Sequence, residues 1–406
     1  MFDPDSIIVG LEVGTSKVCA VVGEINAAGA LNLIGIGQAR SRGVRKGEIA
    51  DASAAAEDIR SAIVEAEQMA DAEIRSVYLG VTGGHVRGFT NRGVHPVVSA
   101  DREITREDVE DVIKNAKAIN LPAENYVLHA IRQHFLVDGQ DGITDPVGML
   151  GARVEVDMHV VHGNFNRLQN PIRAIKGLQL EVEAIVFNGL SSALALLTNE
   201  QKELGAVVID MGGGTTEFVL YHGGIIKQTG VFAVGGDHIS NDLAYGLRVP
   251  LSKAEELKVK HGSALVLEAD KGQSVTTSSE LGQAARSVNL EHLRRIMSLR
   301  LEETFELIER ELAEANHLEL LRGGIVLCGG GARIPGIQQL AERIFHLPCS
   351  LGKTCSIAGL KSALDQPEFA TAIGLVKFGS FQQRKKSGNA LTRALRETFG
   401  GMLGRK

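Results

Sequence analysis

The residues best suited to chemistry in this chain form a pattern that occurs twice, about two hundred residues apart. Near the N-terminus it reads Ile8-Val9-Gly10-Leu11-Glu12-Val13-Gly14-Thr15-Ser16-Lys17-Val18. It recurs as Val207-Val208-Ile209-Asp210-Met211-Gly212-Gly213-Gly214-Thr215-Thr216-Glu217-Phe218. Each copy is an apolar strand, an acidic residue, a turn of small residues and a second strand. Glycine and threonine let backbone amides and hydroxyls approach an anion closely, which suits phosphate. The carboxylates of Glu12 and Asp210 stand where each can hold a cation, directly or through water, against that phosphate. Two such hairpins facing each other across a cleft would grip one nucleotide from both sides. A third element, Val326-Leu327-Cys328-Gly329-Gly330-Gly331, is a strand, a glycine turn and a helix start. Its glycines remove side chains where a flat purine or ribose could lie against backbone.

The flanking patterns supply elements to position these turns. Ile7–Val13, Val18–Glu24 and Leu31–Gln38 read as a meander, followed by a helix over Ala52–Met69 and a buried strand over Val77–Thr82. From His85 to His162 the texture changes to a small self-contained α+β insertion. Its helix opens at Thr105, with Asp108 three residues on, and Val154, Val156, Met158 and Val160 alternate with Glu155, Asp157 and His159. Helices are expected over Asn166–Leu178 and Gly189–Leu197, with a strand over Glu183–Phe187 between them. After the second hairpin, Gly235-Gly236 opens a helix over Asp237–Tyr245, and Ser252 caps a helix containing Glu255 and Lys258. A long helix spans Ala284–Ala315, and an apolar one spans Phe369–Phe378. A polar break over Gln382–Asn389 precedes the tail.

Composition narrows the class. The 406 residues suffice for several well-buried domains, and 23% charged with 44% hydrophobic residues describes a soluble globular chain. A net charge of −6 argues against a nucleic-acid partner. Cys19 and Cys328 lie in apolar strand patterns as buried free thiols, and no cysteine or histidine spacing suggests a metal or redox pair. The N-terminus lacks a signal-peptide layout, and no apolar run reaches the length of a membrane span.

The tail departs from this average. From Arg384 onward there are seven basic residues against one acid, so the tail carries about +6 and the body about −12. On a helical wheel Leu391, Leu395, Phe399, Met402 and Leu403 share one face, while Arg393 and Arg396 point away. That layout suits a helix lying in an anionic membrane surface, or alternatively a terminal helix docked on the body. One such helix binds lipid reversibly; several on one polymer bind far more tightly through effective concentration.

On the two hairpins, Ser41-Arg42-Gly43, Gly47-Glu48, Lys258-Val259-Lys260-His261-Gly262, the Gly329–Pro335 turn and the basic tail, the chain resembles the actin-like ATPase superfamily. Within it, the resemblance runs along nearly the whole length of the FtsA family of bacterial cell-division proteins. The resemblance implies an α/β, actin-like, two-lobed nucleotide-binding fold with an inserted α+β subdomain. The first lobe would comprise 1–84 and 163–204, with the insertion at 85–162. The second lobe would comprise 205–236 and 321–381, with its small subdomain at 237–320. A linker at 382–389 leads to an amphipathic membrane-targeting helix at 390–406.

By the same resemblance, Gly14, Thr15, Ser16 and Lys17 line one phosphate loop, and Asp210, Gly212, Gly213, Gly214, Thr215 and Thr216 the other. Glu255 and Lys258 flank the adenosine, although their spacing equally suits a charge pair on a solvated helix face. Gly235, Gly236, Gly329, Gly330 and Gly331 close the purine and ribose side. ATP and Mg²⁺ are the implied ligands, with Asp210 and Glu12 on the metal side. Most of the superfamily carries Asp where this chain has Glu12, which extends the carboxylate by roughly 1.5 Å, one C–C bond. Binding tolerates that, but in-line attack by a positioned water does not readily, so hydrolysis is expected to be slow or negligible and no catalytic residue is assigned.

The implied function is a polymerising, ATP-binding tether of FtsZ filaments at the inner face of the cytoplasmic membrane, at the division septum. The implied partners are the FtsZ C-terminal peptide, with Arg300 as contact or as an ordinary helix arginine, further copies of the chain head to tail, anionic lipid, and later division proteins. The competing readings are a PilM-like pilus-assembly adaptor, which needs no such tail, and a sugar-kinase-type phosphotransferase, for which no catalytic Asp is evident.

Overall fold

A computed structural model describes residues 7–26, 29–276, 287–355, 357–359 and 365–384. The tail residues Leu391, Arg393, Leu395, Arg396, Phe399, Met402 and Leu403 lie outside the described residues. Two sheets share one topology. In the first, the antiparallel meander Ile7–Val13, Lys17–Ile25 and Leu31–Arg40 is extended beyond its first strand by the parallel strands Ser76–Val81 and Glu181–Phe187. In the second, Ala206–Met211, Thr216–His222 and Ile225–Phe232 form the meander, and Ile325–Cys328 and Cys349–Leu351 add on in parallel. The duplicated sequence motif is thus the first hairpin of a duplicated sheet.

Each sheet is covered by helices whose sequences fit the contact. The helix Ala52–Ala70 is capped by the Asp51 side chain and buries Ala55, Ile59, Ala62, Ile63 and Ala66. This small-residue face lies on Gly37, where a Cβ would come within 1.9 Å of the Ala62 carbonyl oxygen. Two helices join the lobes. Asn188–Leu196 follows the last strand of the first sheet, yet its Gly189 packs on Val219 of the second. The helix over residues 370–384 follows the second sheet, yet packs on Gly10, Gly23 and Tyr78 of the first. They cross at Gly374, where a Cβ would sit 1.8 Å from the Ser191 carbonyl oxygen. Side chains from both sheets and both helices form one core that includes Ile8, Val21, Phe187, Val208, Val219, Ile373 and Val376.

The insertion has its own four-stranded sheet and core, with Val112, Phe135, Val154, Val156 and Met158 at its centre. Its helix, Arg106–Lys117, carries the expected capping box of Thr105 and Asp108. It is not self-contained, however. His159 and Glu155, read from alternation as outward, are buried, at 1% and 6% exposure. His159 Nε2 meets Thr229 Oγ1 of the second lobe at 3.0 Å, and Ile226 N donates to Gln133 Oε1 at 3.1 Å. Phe187 N donates to His129 Nε2 at 3.0 Å on the first-lobe side. At His159 the "outer" face of the strand is therefore a seam with the second lobe, whereas Glu155 is covered by Arg92 and Arg153 of the insertion itself.

Three boundaries differ from the sequence reading. Pro250, not Ser252, precedes the helix Leu251–His261, because proline presets the extended entry and Ser252 falls inside the first turn. The long helix begins at Leu290, not Ala284: residues Ser287–Asn289 pair with Ser274–Thr276, and the Asn289 side chain caps the helix through His292 N. The last helix runs through residue 384, past the start of the expected break at Gln382, because Phe378 and Phe381 keep packing there.

Candidate functional site

The two hairpin turns are built alike: Gly14 N donates to Lys17 O at 3.0 Å, and Gly212 N donates to Thr215 O at 2.8 Å. They meet across the lobes. A Cβ on Gly213 would lie 3.1 Å from Ser16 Cβ, and one on Gly214 would lie 2.5 Å from Thr15 Oγ1. Beside this contact opens a cavity of about 240 Å³. Glu12, Gly14, Thr15, Ser16 and Lys17 line it from the first lobe, and Asp210, Gly212, Gly213, Thr215, Glu217, Gly329 and Gly330 from the second. A Cβ on Gly330 would meet nothing within 4 Å, so its backbone faces open space, as a flat ligand needs. Gly329, at φ 79°, has no room for a side chain, since a Cβ would lie 2.4 Å from Asp210 Oδ1.

Other expected residues stand behind this lining. Thr216 is fully buried and its hydroxyl donates to Val234 O at 2.8 Å. Gly331 packs on Met211, and Gly214 on Thr15 and Lys46. Gly235 and Gly236 back the second turn, with Gly236 N donating to Gly212 O at 3.0 Å and Asp237 N to Gly213 O at 2.8 Å. Lys258 pairs with Glu255 at 2.6 Å and donates to Gly236 O at 3.0 Å, so this pair is tied to the glycine segment that backs the second turn. Arg300 is not among the residues that line the cavity. It is held by Asp242, at 2.6 and 3.1 Å, and by Glu303, and ties the long helix to Gly236–Leu247.

The electrostatics are uneven. Glu12 is paired with Lys17 at 2.9 Å and Glu368 with Arg333 at 2.5 Å. Burial still raises the Glu12 carboxyl above its ordinary value, and the Lys17 ammonium is raised by the nearby carboxylates Glu12 and Asp210 against its own burial. Asp210 and Glu217 face each other across the hairpin with no basic partner among the described residues. Asp210 Oδ2 accepts from Ser192 Oγ at 2.6 Å and Thr371 Oγ1 at 2.9 Å, which ties both crossing helices to the second turn. Glu217 accepts from Thr215 Oγ1 at 3.3 Å, while its Oε2 lacks a hydrogen-bond partner among the described residues. Burial and then the Asp210 charge push the Glu217 carboxyl up to about 8. Asn188 Oδ1 is likewise buried without a partner at the cavity wall.

Such a site fits a cation that enters with an anion. No cluster of three protein ligands for a metal occurs among the described residues. Mg²⁺ suits that situation, since it is commonly held by one or two carboxylates, water and substrate phosphates. Sequence reasoning missed Ser192, Asn188, Thr371, Arg333 and Glu368. Arg333 lay inside the quoted Gly329–Pro335 turn without being singled out, and the other four come from two stretches nearly two hundred residues apart and carry no local motif. Glu217 was inside the quoted motif, and its place two residues beyond the turn, opposite Asp210, was the signal.

Comparison with known proteins agrees with this architecture. A family model for the cell division protein FtsA matches residues 207–374, and one for the SHS2 domain inserted in FtsA matches residues 83–162. The FtsA of Pseudomonas aeruginosa is 38% identical over 377 residues, covering 93% of this chain and 90% of that protein. The FtsA of Escherichia coli K12 is 36% identical over 380 residues, covering 92% and 90%. Among solved structures, the PilM–PilN type IV pilus biogenesis complex aligns with TM-score 0.65 at 18% identity, over 92% of this chain and 98% of that one. MreB5 of Spiroplasma citri bound to ADP aligns with TM-score 0.57 at 17% identity, over 95% and 99%. At such identities these two likenesses speak to the fold alone. The sequence relatives speak to more, and the chain belongs to the FtsA family of bacterial cell-division proteins, with the actin-like fold.

Proposed function

We propose that the cavity binds ATP with Mg²⁺, and that the bound nucleotide sets the angle between the lobes and favours head-to-tail self-association. The observation that carries this reading is the unpaired acid couple Asp210 and Glu217 beside two facing glycine turns. The turns offer amides to phosphate, and the acids favour a cation bridging to it. MreB5, which shares the fold, has been solved with ADP and with AMPPNP, in keeping with nucleotide in the same kind of cleft. Hydrolysis is slow or negligible in this reading, because the Glu12 carboxylate is already engaged by Lys17.

The polymer so formed tethers FtsZ filaments to the inner face of the cytoplasmic membrane at the septum. Family membership and the basic amphipathic pattern of 390–406 support this, and among the described residues no helix is long and apolar enough to cross a membrane. The small subdomain at 237–320 receives the FtsZ C-terminal peptide. There Arg300 must exchange Asp242 or Glu303 for a partner carboxylate. The insertion is the natural contact for later division proteins. Co-sedimentation with anionic liposomes, with and without ATP–Mg²⁺, tests the whole reading on the full chain against one ending at Gln383. Pelleting that needs the tail and rises with ATP is the expected result; equal pelleting of both chains would remove the tail as anchor.

A further inference from the structure

A second cavity, of about 350 Å³, opens on the opposite side of the crossing helices from the glycine turns' chemistry. Four elements meet there: the insertion with Ile131, the first crossing helix with Leu190 and Leu194, the second sheet with Tyr221 and Ile226, and the last helix with Phe378 and Phe381. Its walls are largely apolar, and Phe381 remains 44% exposed at its mouth.

Two lysines stand beside this groove. The Lys202 ammonium lies over the Tyr221 ring, 5.3 Å from its centroid, and the Lys202 carbonyl accepts from Gly224 N of the groove wall at 3.1 Å. Lys377 precedes Phe381 by one helical turn and donates to Cys355 O at 3.3 Å. Both are half-buried, and neither forms an ion pair with a carboxylate among the described residues. The nearby Glu203 carboxylate stands against Gly224 instead. Burial lowers both ammonium groups from their ordinary values, and Lys202 is lowered further by the charge of Lys377. Two desolvated like charges at the end of an apolar groove are costly to hold without an anion.

The charges also choose among occupants. The chain's own tail, with seven basic residues against one acid, is repelled by Lys202, Lys377 and the groove residue Arg132. An anion with an apolar body matches both halves of the site. The last helix carries Phe378 and Phe381 and leads within a few residues into the basic tail, which places the groove near lipid if the tail lies on a membrane. We propose that this groove takes one acyl chain of an anionic membrane lipid, with Lys202 and Lys377 holding its phosphate. The membrane supplying the lipid rests on the reading of the tail given above, whereas the chemistry of the groove does not.

Titration calorimetry with dodecyl phosphate below its micelle concentration tests the groove on the full chain, without vesicles. One molecule is expected to bind per chain, at least tenfold more weakly to the Lys202→Gln/Lys377→Gln variant and to Phe381→Ala, whose side chain is exposed enough for the fold to survive. Dodecyl maltoside and inorganic phosphate are expected to bind neither protein. Equal binding by the variants, or no binding by the wild type, would overturn the proposal. Inorganic phosphate binding as tightly as dodecyl phosphate would reduce the site to a simple anion site and also overturn it. Tighter binding after deletion of 384–406 would make the tail the occupant, and displacement of dodecyl phosphate by an acidic apolar peptide at lower concentration would make a protein segment the occupant. Liposome pelleting of the same variants separates the two readings. A groove that binds dodecyl phosphate in a chain that never pellets keeps the groove as a site for an anionic amphiphile but overturns the membrane as its source, together with the tether.

Discussion

Replacing Glu217 with Gln isolates the least compensated group of the nucleotide cleft. Glu217 is 4% exposed, has one carboxylate oxygen without a partner, and titrates near 8 in the folded protein against an ordinary 4.5. Below pH 4.5 it is protonated folded and unfolded, and contributes no pH dependence. Between 4.5 and about 8 the unfolded chain releases the proton while the folded one retains it, so stability falls as pH rises. Each pH step costs about 1.4 kcal/mol, so the loss reaches roughly 3 kcal/mol at pH 7 and levels off above pH 8. Glutamine keeps the size and can still accept from Thr215, but carries no charge. The variant should therefore be more stable than the nucleotide-free wild type by roughly 3 kcal/mol at pH 7 and by less than about 1 kcal/mol at pH 5. Urea melts of both proteins across this range give the difference, in which groups distant from Glu217 cancel while its neighbour Asp210, whose charge acts on it, does not. A second readout uses the ligand. A divalent cation favours ionised Glu217, so Mg²⁺·ATP binding to the wild type should release a proton near neutral pH, seen as a calorimetric enthalpy that varies with buffer, and binding to the variant should not. A stability difference that stays flat between pH 5 and 8 would refute the reasoning.

Gly235→Ala places a Cβ 2.6 Å from Gly212 O and 2.7 Å from Gly213 O, so it should push the second turn towards the cavity and weaken nucleotide binding at least tenfold, measurable by calorimetry. Arg300→Ala removes a pair with Asp242 whose side chains are about 30% exposed, so it should cost no more than about 1 kcal/mol in a melt, while binding of the FtsZ C-terminal peptide should fall clearly if Arg300 is a contact. His159→Leu leaves the Thr229 and Thr90 hydroxyls of the seam without this partner, and should cost about 1–3 kcal/mol and raise hydrogen exchange on both sides of the seam. The wild type should also lose stability as pH falls from 6.5 towards 4, since burial holds His129 and His159 neutral down to about 4 while the unfolded chain takes up protons earlier. Proteolysis over that range should open the insertion first.

The sequence alone determined the parts of this protein that are local. A strand, an acid, a small-residue turn and a returning strand follow from side-chain size and alternation within a dozen residues, so both hairpins, the Gly329 turn and the Thr105 capping box were legible without coordinates. The repetition of one motif gave two facing hairpins, and the repeated sheet around them appeared only in the structure. Tertiary structure decided what depends on long-range contact. Alternation alone read His159 as outward because it cannot register a second lobe packed on the far face. Asp210 gains Ser192 and Thr371 from two helices that only the crossing of the lobes brings together. Glu217 becomes an unusual acid because that crossing buries it opposite Asp210 and supplies no base. A residue's type is local, whereas its charge state and partners are set by whatever the rest of the chain lays against it.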